Sequence, residues 1–103
     1  MTDKICALLG LASKAGALRY GFAKAVEAVK HGRATGVFFA EDISAKSRKE
    51  ILFFCEKNNV RSYMLKGIDI ERLSGAVGRK CGVVAVTDDN FKTPIINSLT
   101  SEI

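Results

Sequence analysis

Val83-Val84-Ala85-Val86-Thr87 is the most strand-like stretch of the sequence. Its unbroken apolar run leaves no polar face, so it reads as a strand covered on both sides. Gly36-Val37-Phe38-Phe39-Ala40 has the same character and is closed by Glu41-Asp42. Strands of this kind need helices on both faces of their sheet, and the flanking sequence supplies them.

Upstream, the span from Asp3 to Ala15 places Ile5, Leu8, Leu9 and Ala12 on one helical face, and Gly16 supplies a stop. A short extended piece, Leu18 to Tyr20, leads through Gly21 to a second helix with Phe22, Ala25, Val26 and Val29 on its inner face, ending around His31-Gly32. After Ala40, Ser44 or Ser47 caps a third helix, and Ser47 with Glu50 fits capping-box spacing. That helix buries Ile51, Phe54 and Cys55 and stops near Asn58-Asn59. A further strand covers about Ser62 to Leu65. Asp69 then caps a short helix carrying Ile70, Leu73 and Val77, and Gly78 ends it. Asp88 or Asp89 opens a last helix over about Asn90 to Ser98, with Pro94 in its first turn, where a missing donor is tolerated. The expected fold class is α/β, a three-layer α-β-α sandwich around a central four-stranded mixed sheet. With no repeat and no linker, residues 1–103 are expected to form a single domain.

Apolar residues make up 48% of the chain, and there are nine glycines and one proline, which argues for a packed core rather than disorder. Sixteen Lys and Arg against eleven Asp and Glu leave a formal charge of +5, a balance that favours polyanionic partners. Cys6, Cys55 and Cys81 are widely spaced and the only histidine is His31, so no metal site and no cofactor are expected. Cys6 and Cys55 fall on apolar helical faces, whereas Cys81 lies between Lys80 and Gly82 in a predicted loop. Reduced thiols point to the cytoplasm. The apolar stretch Ile5 to Ala12 is too short to span a bilayer, so no membrane partner is expected.

The charge gathers in three clusters beside element ends: Lys14, Arg19 and Lys24; Lys46, Arg48 and Lys49; and Arg79-Lys80. Cations in the first turn of a helix oppose its macrodipole by about 0.3–1 kcal/mol each. A bound phosphate turns that penalty into an attraction, because backbone amides and lysines then share the anion. Gly21 and Gly82 each adjoin a basic group at the junction of a loop and a regular element. Glycine there permits close approach of a sugar-phosphate strand, and it serves any tight turn equally. Tyr20 and Phe22 offer faces on which a splayed base stacks, although Phe22 also fits the apolar stripe of its helix.

Leu8-Leu9-Gly10-Leu11-Ala12-Ser13-Lys14-Ala15-Gly16, then Ala34-Thr35-Gly36-Val37-Phe38-Phe39-Ala40-Glu41-Asp42-Ile43-Ser44, Leu73-Ser74-Gly75-Ala76-Val77-Gly78 and Val83 to Val86, resemble in order and spacing the L7Ae superfamily of ribosomal and RNA-remodelling proteins. The similarity runs from about Ile5 to Phe91. It implies an α-β-α sandwich whose members bind kink-turn RNA, a helix bent at tandem sheared G·A pairs. Family members meet the bend with the start of the helix after the first strand. The loop before the last strand covers a flipped-out nucleotide. Those parts correspond here to Gly21, Phe22, Ala23, Lys24 and on to Glu27, and to Arg79, Lys80, Cys81, Gly82 and Val83. The stronger RNA binders of the family carry Asn-Glu and, three residues on, Lys. This chain has Ala23-Lys24 and Glu27, with the charges exchanged. A lysine has donors only, so Lys24 suits a phosphate or the guanine O6/N7 edge rather than guanine N–H groups.

The expected function is therefore non-catalytic binding of structured RNA, ribosomal RNA or the ribosome included, with Lys24, Lys46, Lys49, Arg79 and Lys80 meeting phosphates. The alternative is a protein-interaction module that keeps the fold without specific RNA recognition. No phosphate-binding Gly-Lys-Ser motif, nucleophile elbow or metal-ligand cluster speaks for an enzyme.

Overall fold

The computed structural model describes residues 2–100; Met1 and residues 101–103 of the expected domain lie outside the described residues. Helices and strands alternate as α1 (Thr2–Lys14), β1 (Leu18–Tyr20), α2 (Phe22–Lys30), β2 (Gly36–Ala40), α3 (Ala45–Lys57), β3 (Ser62–Leu65), α4 (Ile70–Val77), β4 (Val83–Val86) and α5 (Asp89–Thr100). The four strands line up in the order β1-β4-β2-β3. β4 runs antiparallel to both neighbours, with Leu18 opposite Val86 and Phe39 opposite Val83, while β2 and β3 are parallel. The sheet is mixed. Its two central strands are the two continuous apolar runs, and every residue of both is buried.

Alternation along the strands sorts the core into two layers. Phe38, Ala40, Val84, Val86 and Leu18 pack with Ile5, Leu9, Leu73 and Ile95, so α1, α4 and α5 cover one face. Val37, Phe39, Val83 and Ala85 pack with Ala25, Val29, Ile51 and Cys55, so α2 and α3 cover the other. Phe38 is fully buried and stacks on Tyr63 with ring centroids 5.2 Å apart. Burial of a side chain of that size contributes about 2–3 kcal/mol.

Local signals are used with three departures from the sequence reading. Ser44, not Ser47, caps α3: its Oγ accepts from the Ser47 amide at 3.1 Å, so the Ser47–Glu50 capping box does not form. Pro94 lies in the interior of α5 rather than its first turn, because the helix begins at Asp89. It deprives the Asn90 carbonyl of its helical donor. β4 stops at Val86, and Thr87 turns its amide to the Ala17 carbonyl at 2.9 Å. Asp69 and a left-handed Gly78, φ 80°, bound α4 as expected.

Because β1, β2 and β3 run one way and β4 the other, the ends of the first three strands and the start of the fourth share one end of the sheet. The amino ends of α2, α3 and α4 gather there.

Candidate nucleic-acid interface

Three helix starts at one end of a sheet bring three positive dipole ends together. Two of them carry side-chain caps. At α3 the cap is Ser44; at α4, Asp69 Oδ1 accepts from the Arg72 amide and Asp42 Oδ1 from the Ile70 amide, each at 2.8 Å. The start of α2 is different. Its cap is Gly21, which has no side chain to give, and no acid stands in its first turn. The Ala25 amide donates to the Gly21 carbonyl at 3.0 Å, while the amides of Phe22, Ala23 and Lys24 have no partner among the described residues. Free amides at a helix start form a site for an anion.

The loop before β4 lies against that start. Gly21 donates its amide to the Val83 carbonyl at 2.7 Å, in a backbone conformation, φ 86° and ψ 165°, that glycine alone adopts without strain. The loop itself is fixed from behind. Ser74 Oγ accepts from the Cys81 amide at 3.0 Å and donates to the Cys81 carbonyl at 3.2 Å. The Gly82 carbonyl accepts from the Ala40 amide at 2.9 Å, and a Cβ on Gly82 would stand 2.9 Å from Ile43 Cγ2. Arg79 lies with its guanidinium carbon 4.7 Å from the centroid of Tyr20. Tyr20 is held in turn, because Ser13 Oγ donates to the Val77 carbonyl at 2.8 Å and so accepts the Tyr20 hydroxyl at 2.6 Å.

The sequence model of the ribosomal protein L7Ae/L30e/S12e/Gadd45 family matches residues 3–96. The chain belongs to that family. Among solved structures, the L7Ae-family chain is similar to a protein of unknown function from Bacillus halodurans C, at 27% identity and a TM-score of 0.84, over 91% of this chain and 94% of that one. It is also similar to a 15.5 kD RNA-binding protein of Giardia lamblia, at 17% identity and a TM-score of 0.74, over 98% of this chain and 88% of that one. No curated protein matches it in sequence.

The two stretches singled out by the L7Ae resemblance, Gly21 to Glu27 and Arg79 to Val83, thus lie side by side. Ala23, Lys24, Glu27, Arg79 and Lys80 are exposed; Gly21, Phe22 and Gly82 are half-buried. Phe22 packs against the core between the sheet and α2. Cys81 and Val83 are buried, which corrects the reading of Cys81 as a loop thiol apart from the core. Burial also pushes its thiol pKa up. Neither residue presents a free group to the surface, since Ser74 takes both peptide groups of Cys81 and Gly21 takes the Val83 carbonyl.

The first basic cluster divides. Arg19 and Lys24 share a cleft of about 190 Å³ with Glu27, Ala28, His31 and Arg33, whereas Lys14 lines the groove between α1 and α4. Arg33 was missed from the sequence, since it follows α2 in a loop and belongs to no basic run. Lys46, Arg48 and Lys49 are all exposed on the first turns of α3, and Arg48 also donates to the Glu41 carbonyl at 3.3 Å and lies over the ring of Phe39. Glu41 and Asp42, which close β2, accept from the Gly67 and Ile70 amides across the β3–α4 turn, each at 2.8 Å. Among the described residues no group of His, Cys, Asp and Glu is placed to hold a metal ion, and no helix is long and apolar enough to cross a membrane.

Proposed function

We propose that the chain is a non-catalytic RNA-binding protein of ribosomal-protein type, acting as one domain in the cytoplasm. Structured RNA lies across the start of α2 and the Arg79–Val83 loop. The observation that carries this reading is the open start of α2, with three unpartnered amides, beside a loop bearing Arg79 and Lys80. A phosphate there accepts from the amides of Phe22, Ala23 and Lys24 and from the Lys24 ammonium. Gly21 and Gly82 let the sugar-phosphate strand approach the backbone, and half-buried Phe22 and Gly82, laid over buried Cys81 and Val83, form the floor. Lys46 and Lys49 extend the basic surface along α3. Membership of the L7Ae family and likeness to an RNA-binding protein of the same fold support the choice of RNA as the polyanion.

The preferred RNA in this reading is a kinked helix, read by shape and phosphate more than by base edges. Lys24 donates to guanine O6/N7 or to phosphate, and Glu27 accepts only. The test is binding to a kink-turn RNA beside the same RNA with its tandem G·A pairs changed to Watson–Crick pairs, across a salt series, with Lys24→Glu as control. About five phosphate contacts predict a log–log salt slope steeper than about −3. Preference for the kinked RNA, lost in Lys24→Glu, is the expected result. Equal binding to both leaves a basic RNA-binding surface without kink specificity. Binding to neither RNA, with a flat salt response, sinks the proposal in favour of a protein-interaction module.

A further inference from the structure

We propose that the outer edge of β3, with the groove between it and α3, docks an extended, acidic segment of a partner protein by adding a strand to the sheet. This face lies at the opposite sheet edge from β1 and does not depend on the RNA reading.

The backbone direction supplies the first part of the case. β3 pairs only with β2, with Val37 opposite Ser62, and the Val37 amide donates to the Arg61 carbonyl at 3.1 Å. In a parallel ladder of that register Arg61, Tyr63 and Leu65 turn their peptide groups toward β2, so those of Ser62 and Met64 face outward. The Met64 carbonyl accepts from the Lys66 amide at 3.1 Å. Both groups of Ser62 and the Met64 amide have no partner among the described residues. A row of open donors and acceptors of this kind is a template for a further strand.

Beside the edge runs a groove of about 480 Å³ with Leu52, Cys55, Val60 and Tyr63 among its walls. Leu52 is 43% exposed and Met64 42%, two of the four large apolar side chains that the described residues leave in water. An incoming strand with an apolar residue at every second position covers them.

Charge selects the occupant. Arg61 and Lys66 stand at the two ends of β3, and Arg48 reaches over its middle, with an Nη 4.0 Å from Met64 Sδ; Glu56 is the one acid on the groove wall. An acidic segment is attracted to this rim. A second copy is disfavoured, because it brings the same cations, Arg48, Arg61 and Lys66, to the shared edge.

The test uses the full chain and the peptide acetyl-Asp-Val-Thr-Val-Glu-Val-Thr-Val-Asp-amide, beside its counterpart with lysine at every acid. NMR is expected to show saturable shifts and slowed exchange at the Ser62 and Met64 amides with the acidic peptide alone. Ser62→Pro removes only an outward donor, so the β2–β3 ladder survives. Leu52→Asp alters an exposed helical position, and decides the matter if Ser62→Pro does not fold. Either change is expected to weaken binding about tenfold, the equivalent of one hydrogen bond or one buried apolar contact. Shifts that map elsewhere, equal binding of the lysine peptide, or no binding at the highest soluble concentration would overturn the proposal. So would a dimer of the unliganded chain that shields the same amides.

Discussion

The Gly21 amide and the Val83 carbonyl, 2.7 Å apart, tie the open start of α2 to the loop before β4. They lie sixty-two positions apart in the chain, and the antiparallel β1–β4 register is what closes the distance. Everything proposed for RNA rests on that tie.

Gly21→Ala tests it. No atom lies within 4 Å of the added Cβ, so the penalty is backbone strain at φ 86° rather than a clash. Strain of this kind costs about 1–3 kcal/mol. Urea unfolding is expected to show a loss in that range. RNA affinity is expected to fall as well, because relaxing the strain moves the α2 amides off the loop. Gly67→Ala is the control: its φ is also positive, 81°, only the Thr2 side chain comes near the added Cβ, and it lies in the β3–α4 turn away from α2. It should lose stability and keep RNA binding. Equal RNA loss in both variants would show that the Gly21–Val83 tie has no special part in binding.

Tyr20 and Arg79 are expected to act as a pair. The ring holds the guanidinium, and the hydroxyl only anchors the ring to Ser13. Tyr20→Phe should cost about 1 kcal/mol of stability with RNA affinity kept. Tyr20→Leu should lose as much affinity as Arg79→Ala, and the double variant should be no worse than either, giving a coupling of about 0.5–1 kcal/mol. Additive losses would separate the two residues.

The strands and helices were legible because their signals are local. Unbroken apolar runs marked β2 and β4, and Asp69 with Gly78 bounded α4 at both ends. The site was less legible because its geometry comes from contacts far apart in sequence. Nothing near Asp42 indicates that its carboxylate would serve the Ile70 amide and leave α2 as the one helix start without a side-chain cap among these three. Cys81 looks like a loop residue beside Lys80, yet its fixed peptide, held by Ser74, turns the thiol into the core. Lys14 and Lys24 read as one cluster, but the two side chains line different surfaces.

Glu27 lines a cleft with Arg19, Lys24 and Arg33, so on the proposed RNA reading its carboxylate would compete with phosphate for those three cations. Glu27→Gln is expected to tighten RNA binding about threefold at low salt by removing that competition. Glu27→Lys should tighten it further and steepen the log–log salt slope by about 0.7–0.9, the signature of one added phosphate contact. The measurement is the same titration across salt. Unchanged affinity and slope in both variants would place the RNA away from this cleft.

Cys55 gives the fold a pH limit on the alkaline side. Its side chain is buried between α3 and the sheet, and desolvation pushes the thiol from 9.0 up to about 11. In the unfolded chain the same thiol ionises near its ordinary value. Between about pH 9 and pH 11 the unfolded state therefore binds fewer protons than the folded one, and linkage makes stability fall as pH rises. The stabilisation is fully present below about pH 9 and is lost through pH 11, an effect of about 2–3 kcal/mol at most. Cys55→Ala loses packing by an amount that does not vary with pH. The gap in stability between parent and variant, measured by urea unfolding from about pH 8 to pH 11, should therefore shrink as pH rises. Cys81, whose thiol is also raised by burial, contributes to both proteins and cancels from the difference. A gap that stays constant over that range would mean the buried thiol does not resist ionisation.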